Sequence, residues 1–261
     1  MWRMALALVL VLASQVAVAD SEVAKLPVLA TVAHGRTRVV VRGELAKAQQ
    51  AQAVQLVEQV IADVQRRFTQ PADRPDPDIT LCVLAKEARY REVAGEFGPI
   101  PSDWGFYMPD KRIAIANFGQ SIGNLRHELA HPLVGDDFPA IPAWLNEGIG
   151  ALYGTAVWKR DHFEFAVNYR LRDLQRALAK DELPPLRDLV ASTDDDVRGE
   201  RAGMWYAYAR YVLLYLDKKG ELGEVYRGMR AASGDLAKQR ALLERHVDDA
   251  AFRAWAKRLR Y

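Results

Sequence analysis

Cysteine is almost absent: Cys82 stands alone among 261 residues. No intramolecular disulfide can form, and thiolate-based zinc modules, which need at least two sulfurs, are excluded. An excess of one charge is lacking as well. Lys and Arg number 36 against 34 Asp and Glu, a formal net charge of +2, and the basic residues are scattered, so the chain carries no footprint for nucleic acid or an anionic membrane. Internal repeats and low-complexity tracts are missing. With 50% hydrophobic and 27% charged residues, 17 Gly and 12 Pro, the sequence is neither disordered nor collagenous. Its length suits one large domain or two subdomains around a shared cleft.

Among the segments present, the first is an address. Residues 1–3 include Arg3, residues 4–13 are apolar, Ser14 and Gln15 break the run, and Ala17-Val18-Ala19 precedes Asp20. This is the grammar of a secretory signal peptide cleaved after Ala19. The apolar run is about half of the ~20 residues that span a bilayer, and nothing later approaches that length. The expected mature chain is exported, secreted or periplasmic, with no stable membrane insertion.

Within the mature chain, residues 36–42 and 79–84 read as strands, 44–68 and 86–94 as helices, and 104–108 with 111–116 as a hairpin across Pro109-Asp110. The Pro-rich stretch 71–77 ends the first long helix. From Ser121 onward the pattern turns helical over 121–131, 142–154, 163–180, 203–217, 221–231 and 235–258, with no further strand signal. The fold class is therefore α+β, with strands early and helices late. The expected organisation is a signal peptide over 1–19, an α/β subdomain over 20–140 and a helical subdomain over 141–261.

Chemistry concentrates where these halves meet, in Leu125-Arg126-His127-Glu128-Leu129-Ala130-His131. On a helix His127 and His131 project from one face a turn apart and can share a metal, while Glu128 on the flank can reach a water on that metal. After fifteen further residues, Pro142-Ala143-Trp144-Leu145-Asn146-Glu147-Gly148 offers Glu147 as a third ligand. Two imidazoles and one carboxylate leave a fourth position open on Zn2+, the arrangement of a catalytic site.

These residues resemble the gluzincin metallopeptidases, in which H-E-x-x-H supplies two ligands and a glutamate on the next helix the third. The span 121–153 is most similar to the bacterial peptidase MA-like group, and residues 204–220 resemble its later helix with a tyrosine facing the metal. The resemblance implies a zincin-like fold, with a small mixed sheet and active helix against a helical subdomain. It implies His127, His131 and Glu147 as zinc ligands, Glu128 as general base and Tyr206 as a donor to the oxyanion. The expected activity is zinc-dependent endopeptidase cleavage of a peptide or protein substrate. The rivals are a zinc hydrolase acting on a non-protein amide or ester, and an inactive metal-stabilised binding protein, whose site a fourth ligand such as His162 would close.

Several departures from the pattern carry further expectations. Pro132 directly follows His131, so the active helix should kink or stop there and leave 133–141 as a loop. No G-x-M-E-N segment lies upstream, so recognition of a free substrate amine has no support. Ala151 stands one turn after Glu147, which points to Asp136 or Asp137 as the partner orienting a ligand histidine. Trp205, Tyr208, Tyr211 and Tyr215 read as core, Arg210 as a cleft residue or half of an ion pair, Cys82 as a buried inert thiol, and the 194–196 acidic run as a solvated loop. The strand over 111–117 would pair with an extended substrate if its edge were free.

Overall fold

The computed structural model describes residues 21–69 and 76–261. Residues 1–20, where a signal peptide is expected, and residues 70–75 lie outside the described residues. Among the described residues no helix is long and apolar enough to cross a membrane.

A short helix α1 (Glu22–Lys25) leads into β1 (Val28–His34) and β2 (Thr37–Glu44), followed by α2 (Lys47–Arg67), β3 (Ile79–Leu84), α3 (Glu87–Gly95), β4 (Gly105–Met108) and β5 (Ile113–Asn117). The strands form a five-stranded sheet in the order β1-β2-β3-β5-β4. Its three central strands are parallel, and antiparallel β1 and β4 form its edges. Period-two alternation divides the buried side chains between two faces. Val39, Val41, Leu81, Val83, Ala114 and Ala116 face one core with Val57, Val60, Ile61 and Val64 of α2. Cys82, Phe106 and Ile115 face a smaller cluster with Tyr90 and Val93 of α3. The two small residues of β5, Ala114 and Ala116, lie on the face covered by the next helix, in one cluster with its Leu125 and Leu129.

That next helix, α4 (Ile122–Asp137), is followed by α5 (Ala143–Gly154), a small hairpin β6 (Val157–Lys159) and β7 (His162–Glu164), and α6 (Leu171–Ala179). Then come α7 (Leu186–Val190), α8 (Asp194–Arg198), α9 (Ala202–Lys218), α10 (Leu222–Ala231), α11 (Leu236–His246) and α12 (Asp249–Arg258). The mixed α+β architecture thus has its main sheet early. One continuous apolar cluster runs from Val32 of the sheet to Ala256 of the last helix.

The structure corrects four local expectations. β1 carries no alternating pattern and escapes notice in the sequence, and the β6–β7 hairpin interrupts what reads as a helix from 163. The 235–258 stretch is two helices, because the Asp248 side chain accepts from Ala251 N and starts a new one. Helix α4 does not stop at His131: it continues through Pro132 to Asp137. Its last turn is held from outside, by Arg112 clasping Asp136 at 2.6 and 2.8 Å and by Arg230 and Tyr226 on Asp137. These charge-assisted bonds and the buried Leu133, Val134 and Phe138 outweigh the missing proline N–H, whose cost in a helix interior is about 3 kcal/mol.

Candidate metal centre

Helices α4 and α5 build the centre by packing closely. Ser121 caps α4, its hydroxyl accepting from Gly123 N at 3.1 Å. Gly123 lies so near the end of α5 that an added Cβ would stand 2.0 Å from the Gly154 carbonyl oxygen. At Gly150 a Cβ would lie 2.9 Å from the His127 ring, so only a residue without a side chain leaves the imidazole its place. Arg126 ties the pair together, donating from Nε to Tyr153 O at 2.8 Å and from Nη2 to Gly154 O at 3.0 Å. A cation there also complements the negative end of α5.

The result is a convergence of donor atoms. The His127 and His131 rings meet edge to face with centroids 4.8 Å apart. Glu147 Oε2 is 3.4 Å from His127 Nε2 and 3.8 Å from His131 Nε2. Ligands held tetrahedrally at zinc-like bond lengths stand about 3.4 Å apart, so the spacing suits a small metal ion. These three residues, with ligand atoms all within 4.8 Å of one another, form a group that could hold a metal.

The chemistry of the donors agrees with the geometry. Glu147 is buried, and its Oε2 has no hydrogen-bond partner, a costly arrangement unless something else occupies it. Its other oxygen, Oε1, accepts from Arg198 Nη2 at 3.2 Å. Burial alone would raise this carboxyl, but His131, His127 and Tyr206 outweigh it and hold Glu147 well below the usual carboxylate range. His131 Nδ1 lies 2.9 Å from Asn146 Oδ1. If the amide oxygen accepts the Nδ1 proton, Nε2 keeps its lone pair turned towards Glu147. The orienting partner is therefore the amide next to Glu147 in sequence. Asp136 and Asp137 are instead committed to Arg112 and Arg230. Burial lowers His131 against the pull of Glu147 and Asn146, whereas Glu147 and Glu128 raise His127 against its own burial.

Glu128 lies beside this group, 5% exposed, and among the described residues no donor is hydrogen-bonded to its carboxylate. Burial pushes it up to about 7, against the pull of His127 and Arg198. The start of β4 approaches it so closely that a Cβ on Gly105 would lie 2.7 Å from Glu128 Cγ. The strand edge bordering the site is thus β4; β5, the strand read from sequence, is paired on both sides.

Tyr206 reaches the site from α9, its ring stacked on His127 with centroids 6.4 Å apart. Burial and then the nearby Glu147 charge raise its phenol. Its helical neighbours Trp205, Tyr208 and Tyr211 are buried and Tyr215 packs against the core. Arg210 is neither a cleft residue nor ion-paired. It is fully buried, donates to Ala151 O at 2.7 Å and to Ala166 O, and is pushed down to about 10 by burial. His162 stands apart, partly exposed beside Asp161, and Tyr153 binds the buried Asp63 at 2.7 Å. Cys82 is buried, which raises its thiol to about 12. The 194–196 acidic run is the first turn of α8, capped by Thr193, and it carries Arg198 to Glu147.

Sequence reasoning missed Arg126, Asn146, Gly105, Gly150 and Arg198. Arg126 and Asn146 adjoin the ligands in sequence and were within reach; Arg198 arrives from a distant segment and leaves no local signal. No protein-family model matches the chain, and no curated protein matches it.

Proposed function

We propose that the protein is an exported zinc metallopeptidase of gluzincin type on a zincin-like fold, an endopeptidase acting on a peptide or protein substrate. One observation carries this reading: two imidazoles and an orphaned carboxylate oxygen converge beside a buried Glu128 that has no donor of its own. A purely structural site needs a fourth ligand and no base. Two nitrogens and one oxygen also suit zinc better than the hard, all-oxygen cations.

His127 and His131 through Nε2 and Glu147 through Oε2 would hold the ion, which when bound supplies Lewis acidity and a water acidified towards a pKa of ~7. Glu128 takes the proton of the attacking water on its carboxylate and delivers it to the leaving amine. The Tyr206 phenol donates to the developing oxyanion, a contact of the kind worth about 3 kcal/mol in the transition state. An extended substrate lies along the open edge of β4, where Gly105 brings main chain against Glu128. Asn146 keeps His131 in one tautomer, and Arg198 holds the second oxygen of Glu147, leaving Oε2 for the metal.

The test pairs metal analysis with cleavage. The native protein should retain zinc near one equivalent and His131→Ala should not; less than about a tenth of an equivalent in the native protein overturns the metal assignment. On a mixed peptide library the native protein should cut and Glu128→Gln should lose about 10²-fold or more. Equal cutting by both removes Glu128 as base, and no cutting by either turns the reading towards a non-peptide amide or ester.

A further inference from the structure

Of Arg126, Arg170, Arg198 and Arg210, the arginines around the site, three spend their guanidinium donors on oxygen atoms: Arg126 and Arg210 on main-chain carbonyls, Arg198 on Glu147. Arg170 does not. Among the described residues its guanidinium makes no hydrogen bond and no ion pair. It rests 4.8 Å over the Tyr206 ring and 5.4 Å over the Tyr169 ring. The acidic residue nearest along the chain, Asp173, is engaged by Arg176 at 3.3 Å.

A guanidinium has five donors in a planar fork that matches a carboxylate in bidentate fashion. Leaving that fork unused on a half-buried side chain forgoes the strongest interaction open to it. The aromatic faces meanwhile hold the side chain in place, so little ordering entropy is left to lose when an anion docks. Tyr206 also fixes where the fork stands, because the ring beneath Arg170 is the ring stacked on His127. Tyr169 is 52% exposed, so the place is open to solvent.

We propose that Arg170 forms a carboxylate-binding subsite, so that the preferred substrate carries an acidic group near the scissile bond. The group is an Asp or Glu side chain, or the free C-terminal carboxylate of a short peptide. The proposal rests on the peptidase reading and adds a substrate class to it. The near-neutral chain has no long-range field to gather acidic substrates, so the preference arises in the cleft itself.

The test uses zinc-loaded protein and peptide pairs that differ only as Asp against Asn at each position flanking the cut, each made with a free and an amidated C-terminus. The native protein should favour the carboxylate member by about tenfold in kcat/KM, the scale of one charge-assisted contact. Arg170→Gln should bring that ratio close to one. Arg176→Gln, which removes an equal charge from an exposed site, should keep it. A ratio that follows Asp over Asn identifies the side chain as the source, and one that follows the free terminus identifies the terminus. A native ratio near one overturns the proposal, as does an undiminished ratio in Arg170→Gln. Binding of the same peptides to Glu128→Gln, read by fluorescence anisotropy, separates the two claims. If the native protein cuts nothing, the peptidase reading fails, while the acid-to-amide ratio of Kd values still decides for or against the subsite.

Discussion

The inner and outer walls of the site are built from the same residue type used in opposite ways. On the inner wall, between α4, α5 and α9, Arg126 and Arg210 are buried and their donors go to carbonyls of α5 and of the segment after β7. Glycines there are sized to a neighbour, Gly150 to the His127 ring and Gly123 to Gly154. On the outer wall Arg170 and Arg198 stand at the solvent edge on the segments flanking α6 and α9, Arg170 stacked on rings and Arg198 paired with Glu147 and Asp194. The inner arginines fix geometry, because a buried carbonyl without a donor is expensive. Of the outer pair, Arg198 is committed to Glu147 and Asp194, while Arg170 keeps its donors available, as the recognition proposed for it requires.

Three substitutions test the contrast. Arg210→Met should have the largest effect on stability, since it leaves Ala151 O and Ala166 O without their donor. A loss of about 3 kcal/mol is expected, seen as a drop of roughly 10 °C in Tm. Asn146→Ala should separate geometry from stability on the same wall. Zinc affinity, measured by chelator competition, should fall about 10- to 100-fold as His131 loses its orienting partner, with a stability change of only about 1 kcal/mol. Arg198→Gln should be mildest: the arginine end of its pair with buried Glu147 is 59% exposed, so water can take its place, which predicts about 1 kcal/mol or less in denaturant unfolding. If Arg198→Gln unfolds the protein as readily as Arg210→Met, the distinction between the walls is lost.

The same contrast explains what could be read from the sequence. His127, His131 and Glu147 were legible as a group because their relation is one of spacing along two adjacent helices. Buried strands such as Ile79–Leu84 and the apolar helix over Ala202–Lys218 announced themselves by composition. The outer wall was invisible, because Arg170 and Arg198 meet the site through the arrangement of α6, α8 and α9, which no local pattern encodes. Pro132 misled for a related reason. Its local preference is real, but Arg112 and Arg230, contributed by β5's approach and by α10, override it. The search for a carboxylate to orient His131 looked past Asn146, the neighbour of the third ligand, since an amide oxygen fills that place equally well.

The short link between α4 and α5 also bears on how the site comes into being. All three candidate ligands fall between residues 127 and 147, so the loop that must close to unite them is small. Loop-closure entropy grows with the logarithm of length, and contacts close in sequence are the first to become affordable as a chain collapses. The candidate ligand group therefore needs only a short loop closure to assemble. Tyr206, Arg170 and Arg198 join only when the later helices dock. The proposed ion's ligands can thus come together before the residues proposed to select a substrate.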